Sequence, residues 1–232
     1  MLFPMLGNER MTNAIAERIG SAVGKLELRR FPDGESYIRL HSTVAGRAVA
    51  VVCTLAHPDD QFLQLLFTAR LLRENDARSV HLVAPYLAYL RQDRRFNDGE
   101  ALTSRQFAQL LSAEFDGLVT VDPHLHRYSN LQEIYSIETE ALAASPLLAE
   151  WIRDHVDSES EQWAGAIAGH IGAPHVVFTK TRRGDRDVII AAANLSAWKG
   201  RTPVLVDDVI SSGHTLANAA REIREQGFPA PI

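Results

Sequence analysis

The run Val204-Leu205-Val206 closes on Asp207 and Asp208, passes through the small-residue turn Ser211-Ser212-Gly213-His214-Thr215, and enters a helix-periodic segment marked by Leu216, Ala219, Ala220 and Ile223. Gly227 is placed to end that helix. The same alternation of short β-rich runs with amphipathic helical runs recurs along the chain and predicts an α/β fold with mainly parallel sheets. The turn would expose backbone N–H groups at a helix N-terminus, where hydroxyls and the helix dipole favour a dianionic phosphate. The two carboxylates suit the vicinal hydroxyls of a sugar as charge-assisted acceptors. An ordinary strand–turn–helix with an N-cap is the competing reading.

Composition narrows the setting. At 232 residues and 46% hydrophobic, the chain can hold one large or two modest domains around a substantial core. A formal net charge of −5 gives no support for a general nucleic-acid surface, although local basic clusters can still hold phosphate. The single cysteine, Cys53, lies in the apolar run Val49 to Leu55 and reads as a buried thiol, so no disulfide framework exists. There is no basic leader and no run of apolar residues of membrane-spanning length; no membrane partner and a cytoplasmic location are expected.

Phe62, Leu65, Leu66, Ala69 and Leu72 follow helical spacing after Pro58 and Asp59, between the strand-like runs Val49 to Leu55 and Val80 to Ala84, and so form a βαβ unit. Leu118 to Val121 predicts a further strand, and Ala141 to Val156 a helix. The domain boundary is placed near 137, giving an N-terminal domain of 1–137 and a C-terminal domain of 138–232.

Polar clusters sit at strand ends and loops, where open α/β folds place ligands. Phe31-Pro32-Asp33-Gly34-Glu35 separates the strand-like Leu26 to Arg30 and Ser36 to Leu40, and taken alone it reads as ordinary hairpin-turn chemistry rather than a ligand site. Arg91-Gln92-Asp93-Arg94-Arg95 follows an aromatic segment and could clamp a polyphosphate and stack on a base, or be a solvated charge run. Asp122-Pro123-His124-Leu125-His126 could help to hold a divalent cation. Without clustered cysteines, magnesium with one peripheral histidine suits it better than structural zinc. Lys180-Thr181-Arg182-Arg183-Gly184-Asp185-Arg186-Asp187, holding one of only three lysines, reads as a cationic loop after Val176 to Phe178; its charges could neutralise a transferred phosphoryl group or merely be solvated.

In this order, Phe31 to Glu35, Arg91 to Arg94, Asp122 to His124, Lys180 to Arg182 and Val204 to Thr215 resemble the ribose-phosphate diphosphokinases, or phosphoribosyl pyrophosphate synthetases, over nearly the whole chain. The resemblance implies two phosphoribosyltransferase-like domains in a homo-oligomer. It also implies a magnesium-dependent reaction in which the diphosphoryl group of ATP passes to the anomeric hydroxyl of ribose 5-phosphate, releasing AMP. By the same resemblance, Phe31, Asp33 and Glu35 contact the adenine side of ATP, typically in a neighbouring subunit, and Arg91, Gln92, Asp93 and Arg94 hold nucleotide and phosphates. His124 and Asp157 are then the magnesium-associated positions, and Lys180 and Arg182 stabilise the transition state. Asp207 and Asp208 hold the ribose hydroxyls, while Ser211, Ser212, Gly213, His214 and Thr215 cradle the 5-phosphate.

Three departures from the family pattern shape the expectations. Residues 151–160 leave little room for the apolar strand that the family places before the helix corresponding to 161–171. The sequence ends at Phe228-Pro229-Ala230-Pro231-Ile232, soon after the phosphate-turn helix, so a shortened and incomplete second domain is expected. His214 stands where a small or longer basic residue is usual. These departures raise an alternative, an inactive or regulatory homologue that binds nucleotide or co-assembles without turnover. A phosphoribosyltransferase is the third reading, opposed by the two ATP-side motifs.

Overall fold

Strands of an all-parallel sheet bury apolar side chains, and the central ones here do. In β4 (Ala48–Val52) Val49, Val51 and Val52 are buried, and in β5 (Ser79–Ala84) Val80, Leu82 and Ala84 are fully buried. The computed structural model describes residues 1–155, 176, 179–182, 188–191, 195–205 and 213–232, which form two compact units, Met1–Leu142 and Ala143–Ile232.

The first unit holds a five-stranded sheet, in the order β1 (Leu2–Pro4), β4, β5, β6 (Gly117–Val121) and β7 (Glu138–Leu142), with every pairing parallel. Parallel neighbours cannot be joined by a tight turn and need long crossovers. Helix α1 (Glu9–Ile19) and an antiparallel hairpin of β2 (Leu26–Arg30) and β3 (Ser36–Leu40) lie between β1 and β4 in the chain. Helix α2 (Pro58–Glu74) joins β4 to β5, and α3 (Thr103–Glu114) joins β5 to β6. The parallel arrangement puts the carboxyl ends of β1, β4, β5 and β6 along one edge of the sheet.

Proline at the first turn of α2, with Asp59 and Asp60 beside it, suits the free N–H groups and the positive end of the dipole. Leu65, Ala69 and Leu72 are its fully buried apolar residues, and Phe107, Ala108 and Leu111 play the same part in α3. The two helices are locked at their far ends by a fork. Arg70 Nε donates to both oxygens of Glu114 at 3.0 and 2.9 Å and Nη2 adds a bond of 2.5 Å, while Arg73 Nη2 lies 2.9 Å from Asp116, whose other oxygen accepts from Val80 N at 2.7 Å.

Two expectations change. The helix expected over 141–156 starts at Ser145, as α4 (Ser145–His155), because Ala141 and Leu142 complete β7 against β6. The division between units consequently falls after Leu142 rather than near 137. In the second unit, β8 (Thr179–Arg182) and β9 (Val188–Ala191) form an antiparallel ribbon, and α5 (His214–Glu225) is followed by Gly227 at φ 86°. Leu195, Ile223 and Phe228 make a small core with Val176, Trp198 and Leu205. Ile232 N donates to Pro203 O at 3.1 Å, and Leu205 N donates to Ile232 O at 3.0 Å.

Bonding to Arg70 holds the Glu114 carboxyl below its ordinary value of 4.5 against the opposing effect of burial. A depressed folded value contributes stability that is full above about pH 4.5 and is lost as pH falls through it. In urea unfolding, the stability gap between the natural protein and Glu114→Gln should therefore be full at pH 7 and close progressively in acid. A pH-independent gap would contradict this. Cys53 is fully buried, and burial pushes its thiol up to about 12. Its reaction with a thiol-specific disulfide reagent should be slow in the folded protein and fast in denaturant.

Candidate active site

The loop after β5 carries Arg91, Gln92, Asp93 and Arg94, and the loop after β6 carries His124. Both leave the same edge of the sheet, and each passes through a residue in the left-handed region, Tyr89 at φ 61° and Asp122 at φ 40°. For residues other than glycine this conformation is disfavoured and survives only where surrounding contacts impose it. At Tyr89 those contacts are visible: the ring packs on Phe107 at 4.7 Å and the hydroxyl donates to Asp59 at the start of α2.

The first loop is held from within. The Asp93 carboxylate is 2% exposed and accepts from Arg127 Nη1 at 2.6 Å, joining the loops after β5 and β6. Tyr128 OH donates to Asp93 O at 3.4 Å and shares a 3.0 Å bond with Ser104 Oγ. Ser104 N donates to Gln92 O at 3.3 Å, and Thr103 Oγ1 donates to Gln92 Oε1 at 3.1 Å. Gln92 and Asp93 thus face the protein, whereas Arg91 and Arg94 are exposed. Arg94 lies over the exposed Phe96 ring at 4.2 Å, and Arg127 stands 5.8 Å from the same ring. Glu100 fixes that segment by accepting from Phe96 N at 2.7 Å and Asn97 N at 3.1 Å.

Phe31, Asp33 and Glu35 lie at the β2–β3 hairpin tip, where turn chemistry is satisfied locally. Gly34 supplies a φ of 94°, Phe31 N donates to Glu35 O at 2.7 Å, and Asp33 Oδ1 accepts from Glu35 N at 3.2 Å. Phe31 is 40% exposed and meets Tyr37 edge to face, with Arg29 stacked over both rings. The hairpin is tied to the start of α2 by Arg30 Nη2, which donates to Asp60 O at 2.7 Å.

His124 packs edge-on to His126 at 4.2 Å. Among the described residues no three His, Cys, Asp or Glu side chains gather as a metal cage. In the second unit, Lys180 and Arg182 belong to strand β8 and not to a loop, at register positions opposite Ile190 and Val188. The turn expected to take a phosphate is described at its end: Gly213, at φ 74°, precedes His214 and Thr215, which open α5, and its carbonyl accepts from Ala217 N at 2.9 Å. That handedness favours glycine at 213. Asp157, Asp207, Asp208, Ser211 and Ser212 lie outside the described residues, as does the expected helix over 161–171.

Sequence reasoning left Arg127, Tyr128, Ser104 and Tyr89 without a role. The one signal for Arg127 was a buried-pair partner needed by an aspartate inside an arginine run, and sequence does not reveal which aspartate is buried. Asn8 was also missed. Its side-chain oxygen accepts from Thr54 N at 2.9 Å and Thr54 Oγ1 at 2.8 Å, joining the loops after β1 and β4.

Residues 1–114 match the family model of the N-terminal domain of ribose phosphate pyrophosphokinase, and 142–228 match the phosphoribosyl transferase domain. The chain is 32% identical to a ribose-phosphate pyrophosphokinase of Methanopyrus kandleri over 94% of its own length and 77% of the relative's. It is 34% identical to that of Saccharolobus solfataricus, over 90% and 76%. The phosphoribosylpyrophosphate synthetase of Mycobacterium smegmatis superimposes with a TM-score of 0.81 at 25% identity, covering 98% of this chain and 77% of that one. An α/β unit with the synthetase N-terminal pattern, followed in order by a phosphoribosyl transferase unit, places this chain in the ribose-phosphate pyrophosphokinase family.

Proposed function

We propose that the chain transfers the diphosphoryl group of ATP to ribose 5-phosphate. The anomeric hydroxyl oxygen would attack the β-phosphorus, the bond from that phosphorus to the oxygen bridging to the α-phosphorus would break, and AMP would leave as the hydroxyl proton passes to solvent. The observation that carries this reading is the pinned loop with two outward guanidiniums, Arg91 and Arg94, joined to the His124 loop through Asp93 and Arg127. Guanidinium forks match phosphate oxygens.

In this reading Arg91 and Arg94 hold the triphosphate. Gln92 and Asp93 set the course of their backbone, and Phe31, Asp33 and Glu35 of a second copy close over the adenine. Lys180 and Arg182 neutralise charge developing on the transferred group, and Asp207 and Asp208 orient the ribose hydroxyls. Ser211 to Thr215 take the 5-phosphate at the start of α5, where free N–H groups and the dipole favour an anion. Catalysis by positioning and charge neutralisation requires no covalent enzyme intermediate. The donor set suits magnesium, which keeps several waters and is held largely by substrate phosphates; His124 and Asp157 would be its protein contacts. When bound, the ion would supply charge neutralisation at the phosphates.

A homo-oligomer in the cytoplasm completes the proposal. Among the described residues no helix is long and apolar enough to cross a membrane. The relatives matched over 77% and 76% of their length are named as ribose-phosphate pyrophosphokinases, which supports turnover over a homologue without it.

Phosphorus NMR of the protein with magnesium, ATP and ribose 5-phosphate should show AMP and phosphoribosyl pyrophosphate forming together and only with the sugar. Lys180→Ala should slow both by about a hundredfold or more, the scale of a lost transition-state contact. Absence of both products from the folded natural protein, or AMP release independent of the sugar, would contradict the proposal.

A further inference from the structure

We infer that Arg127 is a positioning residue for the nucleotide: by clamping the Asp93 carboxylate it fixes the backbone from which Arg91 and Arg94 reach the triphosphate. The inference rests on the functional reading above, but its physical part stands on the apo protein alone.

Asp93 lies between two arginines expected to meet anionic oxygens, yet its own charge is almost wholly removed from water and is met by Arg127 at 2.6 Å. A buried carboxylate with its partner removed is strongly unfavourable. Loss of Arg127 should therefore drive Asp93 outward and carry the adjoining residues with it. The displaced carboxylate would then stand beside Arg91 and Arg94, competing with phosphate for the same guanidiniums. Tyr128, next to Arg127, bonds the carbonyl of Asp93 and the hydroxyl of Ser104, so the clamp grips side chain and backbone together. Arg127 is itself 43% exposed, with its guanidinium on the Phe96 ring that also carries Arg94. A direct contact of Arg127 with phosphate is thus the rival that the test must separate from clamping.

The test uses the full chain with Arg127→Gln, Arg127→Lys, Asp93→Asn and the Arg127→Gln/Asp93→Asn double variant. Clamping predicts that Arg127→Gln raises KM for ATP about tenfold, the scale of one charge-assisted hydrogen bond, with kcat and KM for ribose 5-phosphate within about twofold. Arg127→Lys should recover part of the loss. The double variant should be no worse than Arg127→Gln, because removing the Asp93 charge removes the reason for its expulsion. Amide hydrogen exchange without ligand should show faster exchange over 91–97 in Arg127→Gln, with recovery in Arg127→Lys. Losses that multiply in the double variant would assign Arg127 to direct phosphate contact and overturn the inference, as would unchanged exchange over 91–97. If the natural protein forms no product, the functional reading fails, while exchange over 91–97 and titration with a non-hydrolysable ATP analogue still decide whether the clamp sets nucleotide affinity.

Discussion

Parallel pairing among β1, β4, β5, β6 and β7 forces every connection to cross the sheet and return, so the strands all end along one edge. The segments that leave β1, β4, β5 and β6 there carry Asn8, Thr54, Arg91 to Arg94 and His124. Residues distant in sequence become neighbours because Val49 and Val51 of β4 and Val80, Leu82 and Ala84 of β5 are buried at alternate positions, so a one-residue slip would turn them out of the core. The loops at that edge inherit the fixed register.

A rigid edge does not by itself order the loops above it. Asn8 bonds Thr54, Tyr89 bonds Asp59, Arg30 reaches the Asp60 carbonyl, and Arg127 bonds Asp93. Each contact joins two segments that enter the edge from different elements. Two of them use the first turn of α2, which connects the hairpin tip bearing Phe31 to the loop bearing Arg91. Left-handed backbone at Tyr89 and Asp122 fits the same picture, since surrounding contacts must hold conformations that local preference opposes.

The hairpin could be read from sequence because Pro32-Asp33-Gly34 is strong turn chemistry, and the observed strands are the expected Leu26–Arg30 and Ser36–Leu40. Helix α2 was equally readable from its apolar spacing. Strand β7 was not, because Glu138 to Leu142 forms an exposed sheet edge with no apolar alternation, and its pairing to β6 is a tertiary effect. Lys180 and Arg182 looked like a loop because charge suggests solvent, yet a two-stranded ribbon tolerates charged residues along a strand. Arg127 and Asp93 lie 34 residues apart, and their meeting follows from the order of β5 and β6 in the sheet rather than from any local pattern. The family itself was legible, because its motifs are short, ordered and chemically specific.

The central claim is that nucleotide and sugar phosphate occupy different, identifiable segments: the β5 and β6 loops for one, the turn into α5 for the other. Hydrogen exchange with each ligand added separately tests this most directly. A non-hydrolysable ATP analogue with magnesium should protect 91–97 and 122–128, and ribose 5-phosphate should protect 211–216. Saturation by the analogue without protection in either first-unit loop would contradict the account, as would ribose 5-phosphate protecting those loops in place of the turn.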